Sequence, residues 1–369
     1  MQIKLGDFLR EICIKTVVNN EYPVLTSSKN GIYLQSEYFN KQVASKDNTG
    51  YKIIKKGQFT YRAMSDTGEF YPNMLKCVDI GIVSPAYPVF EITNRDIIYP
   101  QYLQYFFRSN TFRYNISGLE QGSTRTSIKF NKMKNIKIKL PPLLEQKKVI
   151  MILDRVGSLI SKRQEQLKYF DELTKSLFIE MFGDIINTSK YPTVNLGSLG
   201  EMLSGGTPSS EHSEYFGGNI PFISTPCLGE NYISYKNAQN FLTDEGVKNS
   251  TTNLIPAYSL MIGSRVGVGK CSINMCEMCT NQDILSFINI DKTKYDLLFI
   301  KNVIEQHFDF YESQKRGATI KGISSKIVKE TKVPKAPLLL QKKFANFVRG
   351  TDKSKLAVKK SLEELEILK

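Results

Sequence analysis

The clearest hydrophobic pattern in this chain is a long seam that begins after the consecutive prolines at 141 and 142. From position 149 to 181, positions alternately four and three apart are apolar in eight cases out of ten. A spacing that averages 3.5 residues is typical of a coiled coil. It predicts one helix of about 37 residues, ~55 Å long. We expect its interface to consist of Val149, Leu153, Val156, Ile160, Leu167, Phe170 and Leu177.

A weaker seam in the same register follows 195 residues later, with the apolar positions Phe344, Val348, Val358, Leu362 and Leu365. The segment before it is repeated at the same offset: PLLEQKK at 142–148 returns as PLLLQKK at 337–343, and GST at 122–124 returns as GAT at 317–319. The seam stops at position 369, so we expect the second helix to be about two turns shorter. The chain is therefore predicted to contain two copies of one unit, a globular body followed by a helix.

Two helices in a shared register are predicted to pair antiparallel and to hold the bodies apart as a spacer. Two alternatives stay open. Each helix could pack only on its own body, or the seam could join two copies of the chain.

The two bodies, 1–140 and 184–336, mix short strand patterns with one helical stretch each, while 141–183 and 337–369 form the spacer. In the first body, 51–61 and 136–140 alternate as strands do, and 102–112 is helical. In the second body the pattern predicts turns at 204–208 and 216–219, a strand at 220–224 and a helix at 295–311. The predicted fold class is α+β, twice.

The net charge of +14 is concentrated in the first body. Residues 1–144 hold 20 Lys and Arg against 11 Asp and Glu, whereas residues 182–340 hold 15 of each. A basic body favours a polyanion such as nucleic acid, because neutralised phosphates release counterions. Codon bias toward Lys, Asn and Ile is the alternative explanation, and the neutral second body keeps it open.

No segment predicts export or membrane insertion. The longest apolar runs fall far short of the ~20 residues that a membrane span needs. Lys4 and Asp7 stand where a signal peptide would be apolar. The six cysteines lack the density of a disulfide scaffold. We expect a cytoplasmic protein with no membrane partner.

The side chains that most enzymes need are sparse. His212 and His307 are the only histidines. Residues 264–271 superficially resemble a phosphate-binding loop, but such a loop needs Gly at 264 and Ser or Thr at 271, and the chain has Ser264 and Cys271. Cysteines at 271, 276 and 279 have no fourth ligand at a matching distance for zinc. We therefore predict no catalytic residues, no metal and no cofactor on this chain.

Several motifs resemble the specificity subunits of type I restriction-modification systems. The first spacer resembles the central conserved region of that family through PLLEQKK at 142–148, FDEL at 170–173 and MFGD at 181–184. The second body resembles its second target-recognition domain through SGGTP at 204–208, YFGGNIPFI at 215–223, TDEG at 243–246 and TNQ at 280–282. The first body lacks the GGTP turn and resembles another recognition-domain subtype through LTSSKNGI at 25–32 and residues 51–59.

The resemblance implies a non-catalytic subunit that reads double-stranded DNA for its partners. In this family one specificity subunit joins two methyltransferase subunits, which carry S-adenosylmethionine and methylate adenine. Restriction motor-nuclease subunits with ATP and Mg²⁺ cleave unmethylated DNA. Each body would read one half of a split, asymmetric target, and the helices would fix the gap and bind the methyltransferases. The target bases and the gap length stay open.

Candidate DNA-contacting residues follow from the side chains that read bases and phosphates. Arg and Lys bind guanine, Asn and Gln bind adenine, and hydroxyls and cations bind phosphate. The candidates are Lys29, Arg62 and Arg125 in the first body and Thr207, Arg265, Lys270, Asn281 and Gln282 in the second. Each could instead be an ordinary surface charge or turn residue. Two other functions stay open at this point: an enzyme hidden in the second body, and a coiled-coil adaptor without sequence-specific DNA binding.

Overall fold

The computed structural model describes residues 2–38, 45–117, 119, 126–317 and 321–368. The chain divides into two compact units, residues 1–159 together with its last two residues, and residues 160–367. The division passes through a helix, so the domain boundaries at 140, 183 and 336 stay predictions. Each unit is described by itself below.

The first unit is an α+β domain built on antiparallel strand pairs. Its strands are β1 (Gln2–Lys4), β2 (Leu9–Ile12), β3 (Leu25–Ser28), β4 (Gly31–Leu34), β5 (Lys52–Lys55), β6 (Phe59–Thr60), β7 (Met64–Ser65), β8 (Asn73–Met74), β9 (Ile80–Val83), β10 (Val89–Ile92), β11 (Thr126–Ser127) and β12 (Lys137–Lys139). Its short helices are α1 (Gln35–Tyr38), α2 (Pro100–Phe106), α3 (Asn110–Ile116) and α4 (Phe130–Met133). The largest sheet has the order β2-β10-β6-β8, and the pairs β1-β12, β3-β4, β5-β9 and β7-β11 surround it.

Aromatic rings dominate the core of this domain. Phe59 and Phe90 from the central sheet stack with their ring centres 5.5 Å apart. Phe107 and Phe112 from the helical segment meet edge to face at 5.0 Å. Such pairs add about 0.5–1.5 kcal/mol to the stabilisation that burial of their area provides. The strands that follow the alternating sequence pattern are therefore held by aromatic packing against two short helices.

A 40-residue helix, α5 (Leu143–Phe182), follows the prolines and leads into the second unit. The strands of that unit are β13 (Gly183–Asp184), β14 (Thr188–Ser189), β15 (Thr193–Asn195), β16 (Glu201–Ser204), β17 (Phe216–Ile223), β18 (Tyr232–Ile233), β19 (Asn240–Leu242), β20 (Leu254–Ile255), β21 (Leu260–Gly263), β22 (Cys271–Asn274), β23 (Met278–Thr280), β24 (Ile284–Ile288) and β25 (Lys332–Pro334). Its helices are α6 (Asp244–Lys248), α7 (Leu297–Gln306), α8 (Phe308–Gln314), α9 (Ser325–Lys329) and α10 (Leu338–Leu368).

Two larger sheets form the body of the second unit. A five-stranded sheet has the order β16-β24-β21-β22-β18, and a four-stranded sheet has the order β19-β17-β23-β20. Most pairs are antiparallel, but β18 runs parallel to β22 and β17 runs parallel to β23. One core joins the five-stranded sheet to α7 and to the ends of α5 and α10 through residues such as Phe287, Phe299 and Phe178. The α+β fold class predicted for both bodies is confirmed.

The duplication is visible in the hydrogen bonds as well as in the sequence. In the first copy β1 pairs with β12, and Leu5 N donates to Ile136 O at 2.9 Å. In the second copy β15 pairs with β25, and Leu196 N donates to Thr331 O at 2.8 Å. The next pairs also correspond, because β2 with β10 and β16 with β24 are both antiparallel. The start and end of each body are therefore joined in the same way.

Three details of the predicted secondary structure are corrected. The helix expected over 102–112 is divided into α2 and α3, because the Ser109 side chain accepts a hydrogen bond from Phe112 N at 3.2 Å and begins a new helix. The helix expected over 295–311 is divided at His307, whose ring bonds to Val303 O. The turn expected at 216–219 is a bulge inside β17, where Gly217 has a φ of +81°.

Within the second unit, α10 pairs with the second half of α5. The ring of Phe344 meets that of Phe178 at 5.4 Å. Further along α10, Lys355 Nζ lies 2.6 Å from Asp171 Oδ1. Because the residue number rises along α10 while it falls along α5, the pair is antiparallel, as the shared register predicts.

The predicted interface positions differ in burial. Val156, Ile160, Phe344, Val348 and Val358 are buried, whereas Leu153, Leu167, Phe170, Leu177, Leu362 and Leu365 are half-buried. Val149 is 37% exposed, so its place in the interface stays a prediction. Among the described residues, no helix has the length and apolar character that crossing a membrane requires.

Candidate nucleic-acid interface

Two candidates of the first domain, Lys29 and Arg62, line one groove. Lys29 lies in the turn between β3 and β4, Arg62 follows β6, and both side chains are exposed. The groove has a volume of about 710 Å³, and Tyr71 forms part of its wall. Lys29 Nζ lies 5.7 Å from the centre of the Tyr71 ring. Cations beside an aromatic face can contact both phosphates and bases.

Arg108 holds the Lys29 turn in place, and the sequence analysis did not identify it. Its guanidinium donates to the carbonyl oxygen of Lys29 and to Oδ1 of Asn73, and it lies 5.3 Å from the Tyr71 ring. Asn73 is 2% exposed and donates to Ser28 O at 2.8 Å. The carbonyl oxygens of Ser28 and Lys29 thus both accept hydrogen bonds from buried or half-buried side chains, which anchors the backbone that carries the Lys29 side chain. Arg108 is the single charged residue of the helical stretch predicted over 102–112, and this was the signal available in the sequence.

Acidic side chains balance the cations of this groove. Arg62 lies 3.9 Å from Asp66. Tyr71 donates to Glu69 at 2.6 Å, and this hydrogen bond holds the pKa of Glu69 below its usual value. Burial raises the pKa of Tyr71, so its hydroxyl stays protonated and keeps donating. The groove therefore does not offer cations alone, as a site that binds only phosphate would. Carboxylates of this kind can accept hydrogen bonds from a cytosine amino group.

The third candidate of the first domain, Arg125, lies outside the described residues. The repeated GST at 122–124 also lies outside them, as do two of the three residues of its counterpart at 317–319. The roles of Arg125 and of the repeated segments at 122–124 and 317–319 therefore stay predictions.

In the second domain, Thr207 and Gln282 come together although 75 residues separate them in the chain. Thr207 Oγ1 donates to Gln282 Oε1 at 2.5 Å. The backbones approach closely here, because Gly206 N donates to Thr280 O at 2.9 Å. A Cβ atom on Gly205 would lie only 2.1 Å from Asn281 O, which explains why glycine occupies this position. The SGGTP turn therefore packs directly against the TNQ segment.

Asn281 belongs to the same group of residues but is oriented inward. It is half-buried, and its Oδ1 atom is shielded from solvent with no hydrogen-bond partner among the described residues. Gln282 beside it is exposed. Of the two amides proposed to read adenine, Gln282 is thus the one that this conformation presents.

Arg265 lines a second groove together with a residue that the sequence analysis did not select. The groove has a volume of about 700 Å³ and is lined by Arg265, Arg316 and Lys326, among others. Arg265 NH1 lies 3.6 Å from Asp283 Oδ1, and its side chain is 56% exposed. Residues 182–340 contain only these two arginines. Because arginine is this rare in the second body, the sequence offered a signal for Arg316 as well as for Arg265.

Backbone hydrogen bonds fix the position of the Arg265 groove. Ser264 N donates to Asp283 O at 2.8 Å, and Ile323 N donates to Ser264 O at 2.8 Å. Arg316 and Gly322 form a two-way bridge with N to O distances of 2.9 and 3.0 Å. The β21–β22 turn, the TNQ segment and the segment before α9 therefore meet at one place on the domain.

Lys270 lies in the same turn as Arg265 but lines a different groove. Its neighbours there include Glu230, Asp171 and Lys355, and the groove has a volume of about 1000 Å³. Five lysines and four carboxylates line this groove, and three of the lysines pair with carboxylates. The structure therefore groups Arg265 with Arg316 and separates it from Lys270.

The clustered cysteines are thiols within the second domain. Cys271 and Cys279 are buried, and Cys276 is half-buried. Burial raises the pKa of the Cys279 thiol to about 11, which keeps it protonated. Within the part of the chain that the structure describes, no group of three or more His, Cys, Asp and Glu residues could hold a metal ion.

A family model decides how these two domains are classified. The model of the type I restriction modification DNA specificity domain matches residues 4–169 and, a second time, residues 188–367. The chain belongs to this family. The two matches correspond to the two copies that share the 195-residue offset, so this specificity-family protein carries the domain twice.

Similar proteins agree with this assignment. The type I restriction enzyme MjaX specificity subunit of Methanocaldococcus jannaschii is 24% identical over 292 residues, which are 74% of this chain and 66% of that subunit. The chain thus spans just under two thirds of the MjaX subunit. The type I restriction enzyme HindI specificity subunit of Haemophilus influenzae is 20% identical over 375 residues, 81% of either chain. A solved chain of a type I R-M system shares the fold, with a TM-score of 0.65 and 18% identity over 100% of this chain and 95% of that one.

Proposed function

We propose that this chain reads DNA sequence for a type I restriction-modification complex and is itself not catalytic. Each recognition domain reads one half of a bipartite, asymmetric target in double-stranded DNA. The paired helices set the gap between the halves and dock two methyltransferase subunits. Motor-nuclease subunits complete the complex, and the partner subunits bind S-adenosylmethionine, ATP and Mg²⁺.

The observation that carries the proposal is that two copies of one frame present different side chains. The groove of the first domain combines Lys29 and Arg62 with Tyr71. The groove of the second domain combines Arg265 with Arg316. Base edges differ in their donors and acceptors, so different side-chain sets read different sequences. Two domains of similar architecture whose grooves carry different side chains can read the two different halves of an asymmetric target.

The first experiment is methylation-aware sequencing of DNA from cells that express this chain with its cognate methyltransferase. Cells that lack this chain are the comparison. We expect a new adenine mark at a two-part motif of constant gap. If no mark appears although the same methyltransferase works with another specificity subunit, the chain is a coiled-coil adaptor and the proposal is wrong.

A binding measurement on the purified complex tests the DNA contact directly. Affinity for the target should fall steeply with salt, because each neutralised phosphate releases counterions. Arg265→Ala should weaken binding, whereas Lys236→Ala, at a lysine outside both grooves, should not. Binding that is independent of both salt and Arg265 would contradict a DNA-reading role.

A further inference from the structure

The glutamine of the repeated PLLEQ and PLLLQ motifs is fully buried in both copies. In the first copy Gln146 is 0% exposed. Its Oε1 accepts from Tyr99 N at 3.0 Å, and its Nε2 donates to Ile97 O at 2.8 Å and to Pro141 O at 2.9 Å. One side chain therefore joins the first turn of α5 to the segment that precedes α2 and to the end of the body.

Gln341 repeats this arrangement in the second copy. It is also 0% exposed, and its Oε1 accepts from Asp296 N at 2.9 Å. Its Nε2 donates to Lys294 O at 3.1 Å and to Ala336 O at 2.8 Å. All partners are backbone groups, and a carbonyl only accepts while an N–H only donates, so the amide has one possible orientation. We call these two three-bond arrangements the glutamine clamps.

The clamps lie at equivalent places in the two domains. Tyr99 precedes α2 and Asp296 precedes α7, so each clamp fixes the start of the domain's own helix. Pro141 and Ala336 end the connection from the last strand to the spacer helix. A short connection of this kind would otherwise leave the helix free to pivot about a few backbone dihedrals. The clamp removes that freedom in both copies.

A second tie, eight residues further along each spacer helix, differs between the copies. In the first copy Asp154 accepts from Tyr105 at 2.5 Å. In the second copy Arg349 lies 3.5 Å from Asp296 and donates to Tyr232 at 3.4 Å. The contact made at positions 154 and 349 thus differs between the two domains, whereas the glutamine contact is the same in both. The shared element is the one that fixes the helix at its origin.

We propose that Gln146 and Gln341 are positioning residues that fix the direction in which each spacer helix leaves its recognition domain. They thereby set how strictly the complex holds the gap between the two half-sites. This inference rests on the proposed function, because the gap has meaning only if each domain reads a half-site. The clamps touch no DNA and act through the helices.

The first test measures the clamp itself in the purified full-length chain. Gln146→Met keeps the length of the side chain but can neither accept from Tyr99 N nor donate to the carbonyls. We expect hydrogen exchange at the Tyr99 amide to accelerate at least about tenfold, and Gln341→Met to do the same at Asp296. Unchanged exchange at these amides would overturn the inference whether or not the chain reads DNA.

The second test measures gap stringency in cells that express the chain with its methyltransferase. The probe is a set of plasmids in which the half-sites are separated by the native gap or by one base pair more or fewer. Each Gln→Met variant should lower the ratio of native-gap to altered-gap methylation about tenfold, and should lower native-gap methylation much less. A ratio equal to that of the unmodified chain would overturn the inference.

A matched control separates positioning from general loss of stability. Phe112→Leu weakens the core of the first domain, where the Phe112 ring packs on Phe106 and Phe107, and it removes no hydrogen bond of Gln146. It should lower methylation at all gaps together and leave the ratio unchanged, and an equal change in ratio would overturn a role for the clamp. Gln146→Asn, which is one methylene shorter and retains the amide, serves where Gln146→Met does not accumulate. If the unmodified chain directs no bipartite mark, the proposed function fails, whereas the exchange measurement still decides on the clamp.

Discussion

In the first recognition domain the candidate reading groove is built around the β3–β4 turn, whereas in the second it is built around the β21–β22 turn and residues 314–316 and 322–330. The first groove presents Lys29 and Arg62 beside Tyr71, within a basic body. The second presents Arg265 and Arg316 within a body whose formal charges cancel. The β1-β12 and β15-β25 pairs and the glutamine clamps are nevertheless the same in both. Duplication has thus preserved the frame while the exposed faces have diverged.

The charge difference also separates two ways of binding a polyanion. A broadly basic surface attracts DNA from a distance, and its attraction weakens as salt screens it. A neutral domain with two arginines in one groove depends on the placement of those two side chains. We therefore expect the second domain to be the more sensitive to single substitutions and the first to be the more sensitive to salt.

The largest effect is expected from the arginines of the second groove. Arg265→Ala combined with Arg316→Ala should lower methylation at the target about 100-fold or more, since a lost bidentate base contact costs about 1–3 kcal/mol. The measurement is methylation of a target plasmid in cells, with protein levels matched. The double change to lysine is the control: it keeps the charge but cannot form the bidentate contact. Full activity of the lysine variant would reassign both side chains to phosphate binding.

A close backbone contact in the second domain gives the next largest effect. Gly205→Ala would place a Cβ atom 2.1 Å from Asn281 O and 2.4 Å from Thr280 O. Because both atoms belong to the backbone, we expect a loss of about 2–4 kcal/mol in the free energy of unfolding. Chemical denaturation measures it. Gly157→Ala, where no atom lies within 4 Å of the new Cβ, should instead stabilise α5 by up to about 1 kcal/mol. Equal effects of the two substitutions would refute the close approach.

A smaller effect is expected from the first groove. Arg62→Ala should weaken binding of the complex about tenfold and reduce the slope of log affinity against log salt by about 1 if the side chain meets a phosphate. Titration of labelled target DNA at several salt concentrations measures both. Lys56→Ala serves as the control, because Lys56 is exposed and pairs with Asp79 away from the groove. If Lys56→Ala changes the salt slope as much as Arg62→Ala, the charge of the body matters rather than the groove.

The smallest effect is a loss of stability between pH 7.5 and 5 from histidine protonation, and it is expected in the second domain because both histidines lie there. His307 is 6% exposed, and burial lowers its pKa below the ordinary value of 6.5. The folded state therefore binds fewer protons than the unfolded state. The stability that neutral His307 contributes is present above about pH 6.5 and is lost as the pH falls through the lowered pKa.

Thermal unfolding between pH 7.5 and 5 tests this expectation. The Tm of the second domain should fall by a few degrees more in the unmodified chain than in a His307→Gln variant. His212, whose side chain is 50% exposed, provides the comparison, and His212→Gln should change the pH dependence less than His307→Gln does. A greater effect of His212→Gln than of His307→Gln would contradict the assignment.

Much of the architecture could be predicted because it depends on the local periodicity of apolar residues. The seam positions recur every 3.5 residues, so the spacing predicted α5 and α10, and their shared register favoured the antiparallel pairing that the structure shows. The division of the helices at Ser109 and His307 could not be predicted in the same way. A serine cap and a histidine bonded to a helix carbonyl break a helix only when the local backbone makes those contacts. Periodicity records burial and does not record these hydrogen bonds.

The candidate site was predicted in part. Side-chain chemistry identified four residues that the structure brings together in pairs. Lys29 and Arg62 line one groove, and Thr207 donates to Gln282. Arg108 and Arg316 were missed, since their roles arise from segments that meet only in the folded domain. Lys270 was proposed as a DNA contact for its charge, as Arg265 was, but the turn that carries both places them in different grooves.

The sequence by itself determined the duplication, the spacer helices, the α+β class and the family, because each of these depends on residue types at fixed spacings. Tertiary structure alone decided which cations share a groove, why Gly205 is required, and what the buried glutamines do. These features depend on contacts between segments that are 40 to 80 residues apart, such as Thr207 with Gln282 and Gln146 with Tyr99. A linear pattern specifies which faces are apolar. Only the folded tertiary structure decides which backbone N–H and C=O groups still need a hydrogen-bond partner and which side chain supplies it.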